Sequence, residues 1–510
     1  MDFLPNIVRR GTFVAKVELV DVSIRDGNQS LWGATGLSAQ QVIQIAPTLD
    51  RIGFRALDYS SSTAMGVSVR NFQENPWERL RATRKLMPNT SLQFIGTGFR
   101  FISWETAHPD FMQLVYDRLT INGMDRVVVL DPMHDMEAAK ATAKMLRKAG
   151  IKEIVGALVY TISEVHDDKF YSNLAKQMAE CPDIDRVYVK DPAGLLNSER
   201  AKTLLPAIRA QLKGKALELH SHTTLSLSPV TYTEVASLVD VLQVAIGPLA
   251  SGSSLPNAER VVANLRELGH TVDIDDHALG LASKYFYDLA EAEGLPIGTP
   301  QEYDAAFLRH QVAGGVMSTT RRQLRELGME DRFPALMEEV GHVRAELGHP
   351  IMVTPFPQMV CSQALFNVIG TERYENVPDQ IIRYVQGSFG RPAGVIDQNI
   401  MDKILNLPRA KELAQEPSPK TPSELRKVFG NSISDEELLL RATMPADLVD
   451  AMVAKGPFPN HYNPVVRQIS SLVTELEKRP DVSDISITKD AFSITASTKE
   501  SLGEVATNEN

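Results

Sequence analysis

His220 and His222 stand two residues apart in the run Ala216–His222 (ALELHSH). In an extended strand the two-residue period turns both imidazoles to one face. Two imidazoles and a carboxylate from elsewhere make a site for a divalent transition metal such as zinc, manganese or cobalt. Asp26, at the end of the β-branched run Val17–Asp26, is the candidate carboxylate. The same pair of histidines could instead be structural and hydrogen-bonded, and the sequence leaves that reading open. Lys190 closes a further run, Val187–Asp191. An amine buried at a strand end has a lowered pKa and becomes nucleophilic. It could form a Schiff base with a carbonyl substrate, or add carbon dioxide to give an anionic carbamate that ligates the metal beside Asp26. The plainer alternative is an ion pair with Asp191 or another strand-end carboxylate.

Such residues need a scaffold that gathers strand ends. Eight short β-branched runs fill the first part of the chain: Val17–Asp26, Ala56–Ser61, Leu92–Gly98, Arg126–Asp131, Ile154–Thr161, Val187–Asp191, Ala216–His222 and Val239–Ile246. They recur roughly every 30 residues, the length of one strand–helix unit, with amphipathic stretches such as Ala138–Lys148 and Ser198–Gln211 between them. Alternating strands and helices predict a parallel sheet, and eight strands predict a closed (β/α)8 TIM barrel over residues 1–296. Barrel chemistry sits at the carboxyl ends of the strands. Polar residues collect at those ends here: Ser23–Gln29, Asp131, Tyr160-Thr161, Lys190-Asp191 and His220–Thr224. First and seventh strands are near neighbours in such a ring, which brings Asp26 toward the histidines.

From about Ile297 the strand signal gives way to helical spacing, as in Met329–Leu347 and Asp379–Gln386, so residues 297–465 read as a mainly helical domain. Glu416–Pro422 (EPSPKTP) reads as a rigid exposed linker. Residues 466–510 form a tail in which Ile485–Ser497 alternates as a β-hairpin or a strand offered to another chain.

Composition narrows the function. The chain has 510 residues, 43% of them hydrophobic, with 64 acidic against 53 basic side chains and a net charge of −11. That balance argues against a nucleic-acid partner, which needs a dense basic face. The cluster Arg81-Ala82-Thr83-Arg84-Lys85 reads as a solvated helix face. Two cysteines, Cys181 and Cys361, make neither a disulfide framework nor a zinc site, and the compartment reads as reducing. With no signal peptide at Met1–Asn6 and no apolar run of membrane-spanning length, a cytoplasmic location is expected. No phosphate-binding GxxxxGK[ST] loop or dinucleotide-binding GxGxxG turn is present, so direct use of ATP or a dinucleotide lacks support. Cys361, Met317, Met352 and Met359 read as packing residues.

Ile24-Arg25-Asp26-Gly27-Asn28-Gln29-Ser30-Leu31, Asn75–Leu80 (NPWERL), Asn122–Asp125 (NGMD), Tyr160–Ser163 (YTIS), Val189–Leu196 (VKDPAGLL) and His220-Ser221-His222 together resemble the carboxyltransferase domain of biotin-dependent enzymes. Pyruvate carboxylase, oxaloacetate decarboxylase α subunits and the central transcarboxylase subunit are such enzymes. Val353–Gln358 (VTPFPQ) and Gln363–Val368 (QALFNV) resemble the helical region that follows the barrel in them, so the resemblance spans about residues 15–460. It implies a divalent metal held by Asp26, a carbamylated Lys190, His220 and His222. It implies that Arg25 and Gln29 contact a 2-oxo acid, and that Ser318 shuttles a proton to or from biotin.

The departures from the family pattern gather in the substrate pocket. Thr97-Gly98-Phe99-Arg100 stands where Arg-Gly-Ala-Asn is usual, Trp104 takes the place of a Tyr, and Ser60–Gly66 replaces Trp-Gly-Gly-Ala-Thr-Phe-Asp. Asn28 replaces a His, and Ala313 and Val316 replace Pro and Gln. Thr97, Arg100 and Trp104 are therefore expected to line a pocket whose acceptor is not necessarily pyruvate, with Arg100 as a displaced carboxylate contact. No Met-Lys-Met biotinylation motif occurs, which predicts biotin on a separate carrier protein and a separate biotin carboxylase subunit. The resemblance also suggests a homodimer through the barrel. Two other readings stand beside this one: a biotin-independent metal-dependent barrel lyase or aldol-type condensing enzyme, and a non-catalytic assembly subunit.

Overall fold

The computed structural model describes residues 14–103, 105–312, 314–326, 328–458, 484–489 and 492–497. The chain divides into two compact units, Met1–Asn460 and His461–Asn510. In the first, eight strands close into a barrel: β1 (Glu18–Asp21), β2 (Ala56–Ser61), β3 (Ser91–Gly96), β4 (Arg126–Val129), β5 (Glu153–Val159), β6 (Arg186–Asp191), β7 (Ala216–Ser221) and β8 (Val241–Val244). All pairings are parallel, and β1 closes the ring by pairing with both β2 and β8. The expected TIM barrel is thus present, strand for strand.

Six of the strands end before the runs that announced them, and at two of these the difference bears on the site. β1 ends at Asp21, whose carboxylate accepts from the Ser23 amide at 3.1 Å and the Ser23 hydroxyl at 2.5 Å. Ser23 Oγ in turn accepts from the Ile246 amide, and Ser23–Gly27 winds into one π-helical turn. Arg25 and Asp26 therefore project from a helical turn, a local irregularity of the kind found at functional sites. β7 ends at Ser221, one residue before His222.

Most of the helices outside the ring start on side-chain caps that satisfy their first amides. Ser38 and Gln41 form a capping box before Ala39–Leu49, Asp135 caps Met136–Ala149, and Asn257 caps Ala258–Glu267. Each helix buries an apolar stripe on the barrel; Val42, Ile45, Ala46 and Leu49 do so for the first.

Inside the ring, alternate side chains of each strand point inward. The amino-terminal end holds a charged plug. Arg126, wholly buried, donates through Nη2 to both oxygens of Glu218 at 2.6 Å and through Nε to Gln93 Oε1 at 2.7 Å, and also pairs with Glu153. Arg55 and Arg186 join at Glu153. Such charges are tolerated in a core because each has an opposite partner. Further along the strands, Ile95, Val128, Val155 and Tyr188 pack as one apolar cluster, and Val20, Ala56 and Val241 as another.

Beyond the barrel come helices Gly314–Glu326, Phe333–Glu346, Phe356–Ile369, Asp379–Val385, Gln398–Leu405 and Pro408–Leu413. Their core includes Leu336, Val340, Val343, Phe356, Val360, Tyr374 and Tyr384. Arg344, almost wholly buried, ties this layer to the end of β5: its Nη2 donates to Thr161 Oγ1 at 2.9 Å and to the Ile162 carbonyl at 3.1 Å. The exposed stretch Glu416–Lys420 leads to the helix Pro422–Phe429, capped by Thr421 and Glu424. The next helix, Asp435–Arg441, returns to the barrel wall, where Glu436 binds Arg81 and Asn122. The basic cluster at Arg81–Lys85 is thus partly an internal contact, with Arg84 also paired to Asp125.

In the second unit, β9 (Asp484–Lys489) and β10 (Phe492–Ser497) pair antiparallel with Ile487 opposite Ile494. No described helix is long and apolar enough to cross a membrane.

Candidate active site

At the carboxyl end of the barrel Asp26, His220 and His222 come together, with one ligand atom of each lying within 4.8 Å of the others. Asp26 Oδ2 is 3.4 Å from His220 Nε2, and Asp26 Oδ1 is 3.6 Å from His222 Nε2. Both imidazoles are held from behind through Nδ1: His220 by Gln243 Oε1 at 3.0 Å, His222 by the Ser253 carbonyl at 2.7 Å. A backbone carbonyl only accepts, so His222 Nδ1 donates and its Nε2 lone pair faces Asp26. Backing of this kind is what metal-binding histidines require. One carboxylate and two Nε2 donors, buried and already oriented, fit a divalent metal.

Lys190 completes the cluster from β6. Its Nζ lies 3.1 Å from Asp26 Oδ2 and 3.0 Å from His220 Nε2. Burial lowers the lysine pKa, and Asp26 offsets part of that effect. Burial pushes the Asp26 carboxyl up, but Arg25 and Lys190 more than reverse this and hold it well below the usual carboxylate range. Burial and the neighbouring Lys190 keep His220 neutral.

Arg25 is clamped on its other flank. Its Nε donates to Asp58 Oδ2 at 2.8 Å and its Nη2 to Asp26 Oδ2 at 2.9 Å. Nη1 has no hydrogen-bond partner among the described residues, and Arg25 lines a cavity of about 360 Å³ that opens over the cluster. Asp26, Gln29, Thr97, Lys190 and His222 line the same cavity, so the structure joins these sequence-predicted residues in one place. His220 lies beneath its floor, wholly buried. The helical layer supplies the roof, including Thr320, Gln323, Thr354 and Gln358. Ser318 lies on the roof helix Gly314–Glu326; Trp104 and the Ser318 side chain lie outside the described residues.

Arg100 is placed differently from its expected role. It is not a cavity residue: its Nη2 donates to the Ser388 carbonyl at 2.7 Å, and its guanidinium lies 4.5 Å from the centre of the Phe389 ring. The arginine reaches across to the helical layer, where a cation–π contact and a carbonyl hold it. Cys361 and Met352, read as packing residues, belong to the core but also line the cavity. Burial pushes the Cys361 thiol up to about 12, so it is no nucleophile.

Sequence reasoning missed Asp58 and Gln243. Gln243 is the lone polar residue of VLQV and Asp58 is the one charged residue of ALDYSS, and those interruptions were the available signal.

Comparison with known proteins accords with this geometry. The pattern of the conserved carboxylase domain matches residues 307–496. A component chain of the pyruvate carboxylase of Methanocaldococcus jannaschii is 32% identical over 416 residues, 81% of this chain and 72% of that one. The chain belongs to the carboxyltransferase family of biotin-dependent carboxylases. Its similarity extends to the 2-oxoglutarate carboxylase large subunit of Hydrogenobacter thermophilus, 30% identical over 89% of the chain and 71% of the relative. The methylmalonyl-CoA carboxyltransferase 5S subunit of Propionibacterium freudenreichii is 29% identical over 84% of the chain and 86% of the relative. The fold of this carboxyltransferase is that of the carboxyl transferase domain of Rhizobium etli pyruvate carboxylase, solved with pyruvate: the TM-score is 0.77 at 23% identity, covering 86% of this chain and 77% of that one.

Proposed function

We propose that this enzyme moves a carboxyl group between carboxybiotin, carried on a separate protein, and an enolisable acceptor of the 2-oxo acid class bound beside Arg25. The observation that carries this reading is the buried cluster of Asp26, His220, His222 and Lys190 under a cavity edged by the free Nη1 of Arg25. A zinc, manganese or cobalt ion held by Asp26, His220, His222 and a carbamylated Lys190 would supply Lewis acidity that lowers the cost of an enolate. Arg25 binds the acceptor carboxylate through Nη1 while Asp58 and Asp26 keep its guanidinium from swinging, and Gln29 orients the acceptor from the adjacent turn. Ser318 moves the proton: the acceptor carbon gives one up as it gains the carboxyl group, and the biotin nitrogen takes one as it loses that group. The roof residues exclude bulk water from the acceptor.

The acceptor is the open choice within the family, whose members similar to this chain are named for pyruvate, 2-oxoglutarate and methylmalonyl-CoA. Ser61, Ser62, Thr63 and Thr97, all on segments that depart from the family pattern, line this cavity. That clustering supports an acceptor other than pyruvate. All three of these relatives are named as subunits, which supports work in an assembly with a biotin carrier and a biotin carboxylase. A homodimer through the barrel belongs to the same proposal.

Carboxylation and decarboxylation of a panel of 2-oxo acids, with and without a biotinylated carrier, test the reading. Turnover that requires the carrier supports it, and turnover that persists without the carrier favours a biotin-independent lyase or condensing enzyme. Clear preference for pyruvate would remove the changed acceptor while leaving the carboxyl transfer intact. Absence of stoichiometric metal together with absence of turnover would return the chain to an assembly role.

A further inference from the structure

A polar chain runs down the inside of the barrel from the cluster to the charged plug. His220 Nδ1 lies 3.0 Å from Gln243 Oε1 on the neighbouring β8. Gln243 Nε2 donates to Glu218 Oε2 at 3.3 Å, and both Glu218 oxygens accept from Arg126 Nη2 at 2.6 Å. His220, Gln243, Glu218 and Arg126 are all at 0% exposure, so bulk water offers no substitute for a lost partner.

We propose that Gln243 is a positioning residue for His220 and that Glu218, gripped by Arg126, dictates which way the Gln243 carboxamide faces. The inference rests on the metal reading above and adds what sets the imidazole. A carboxylate only accepts, so Glu218 meets Gln243 through the amide NH2 alone. The carboxamide then turns its carbonyl to His220, and Nδ1 must carry the hydrogen. Nε2 keeps its lone pair, pointing toward Asp26 Oδ2 at 3.4 Å. A reversed amide would offer a donor to Nδ1, move the hydrogen to Nε2 and close that nitrogen to a metal.

Metal-binding histidines commonly lean directly on a carboxylate or a backbone carbonyl. His222 leans on the Ser253 carbonyl, which cannot turn round. His220 leans on a side-chain amide that can, and the ion pair one step deeper removes that freedom. The Arg126–Glu218 pair therefore does more than fill the barrel floor: it orients a nitrogen at the opposite end.

The full-length protein, freed of metal and titrated with Co2+, tests this. Affinity is read by chelator competition and coordination by the visible Co2+ bands, for wild type, Gln243→Met, Gln243→Glu and Glu218→Gln. Gln243→Met is expected to weaken Co2+ binding about 10- to 100-fold and shift the bands, as loss of a ligand's outer partner typically does. Gln243→Glu, held protonated by the Glu218 carboxylate to which it donates, still offers Nδ1 a carbonyl and is expected to bind about as tightly as wild type. Nitrogen-15 histidine spectra of the metal-free protein, with His220 assigned from a His220→Gln sample, should show the Nδ1–H tautomer in wild type and a mixture in Glu218→Gln. Wild-type Co2+ affinity in Gln243→Met, or an Nε2–H tautomer in the wild type, would overturn the proposal. If Gln243→Met does not fold, a pure Nδ1–H tautomer in Glu218→Gln overturns it instead. The Nδ1–H tautomer without any Co2+ binding by the wild type would strike out the metal reading and support the orienting role of Gln243.

Discussion

Lys190 Nζ lies 3.1 Å from Asp26 Oδ2, with both side chains about 95% removed from solvent. The pair sets an amine of lowered pKa against a carboxylate held ionised, in a pocket open to a small molecule. As an ammonium, Lys190 neutralises Asp26; as a carbamate it would stand beside Asp26 as a second anionic oxygen donor. That change of sign is what the proposed metal site requires of it.

Lys190→Ala is therefore expected to abolish a carbamate carbon signal that the wild type shows in carbon-13 bicarbonate. Turnover should fall on the order of 10²-fold or more, the scale of losing a preorganised charge-stabilising group. Full activity in the variant would remove the carbamate from the mechanism.

Asp58→Asn frees one flank of the Arg25 guanidinium. Since Arg25 is read as binding the acceptor before and during reaction, the loss should fall on KM. A rise of about tenfold corresponds to about 1.4 kcal/mol of binding. Steady-state kinetics with varied acceptor check this, and a fall in kcat alone would mean that Asp58 serves a later step.

Arg100→Ala separates two roles for one residue. Its partners Ser388 and Phe389 lie in the helical layer, so the variant should melt at a lower temperature. Acceptor KM should change by less than about twofold, since a cation–π contact at this exposure contributes ~1 kcal/mol to docking and none to the acceptor. A large KM effect with unchanged melting would restore Arg100 to the substrate pocket.

Stability should fall in acid because of His134. Burial pushes its pKa from 6.5 down to about 3, with the Val159 amide donating to Nε2 at 2.8 Å and Phe170 and Tyr171 against the ring. The unfolded chain takes up a proton below about 6.5 that the folded chain refuses until about 3. The contribution is thus complete above 6.5 and is lost as pH falls toward 3, by about 2 kcal/mol at pH 5. Urea unfolding at pH 7 and pH 5 should show this loss, and His134→Gln should shrink it; an equal loss in the variant would place the effect elsewhere.

Much of the fold was legible because β-branched runs and amphipathic stretches alternate at regular length, and a parallel sheet with eight such units has few ways to close. His220, Asp26 and Lys190 were legible as candidates because polar groups at the ends of apolar strands are conspicuous. Arg100 misled because its place in the sequence, just after a strand end, resembles that of a pocket residue. Its direction depends on the loop that follows β3 and on Phe389, nearly 300 residues away.

By itself the sequence determined the barrel, the helical layer after it, the candidate donors Asp26, His220, His222 and Lys190, and the family resemblance, all of which reside in local pattern and in residue identity. Only the tertiary structure decided that Asp58 clamps Arg25, that Gln243 backs His220, and that the helical layer roofs the cavity. Those relations join residues between 23 and more than 290 positions apart. The physical reason is that a hydrogen bond's direction and a buried charge's partner are set by how strands tilt and pack around the ring, and no stretch of sequence short enough to show a pattern contains both ends of them.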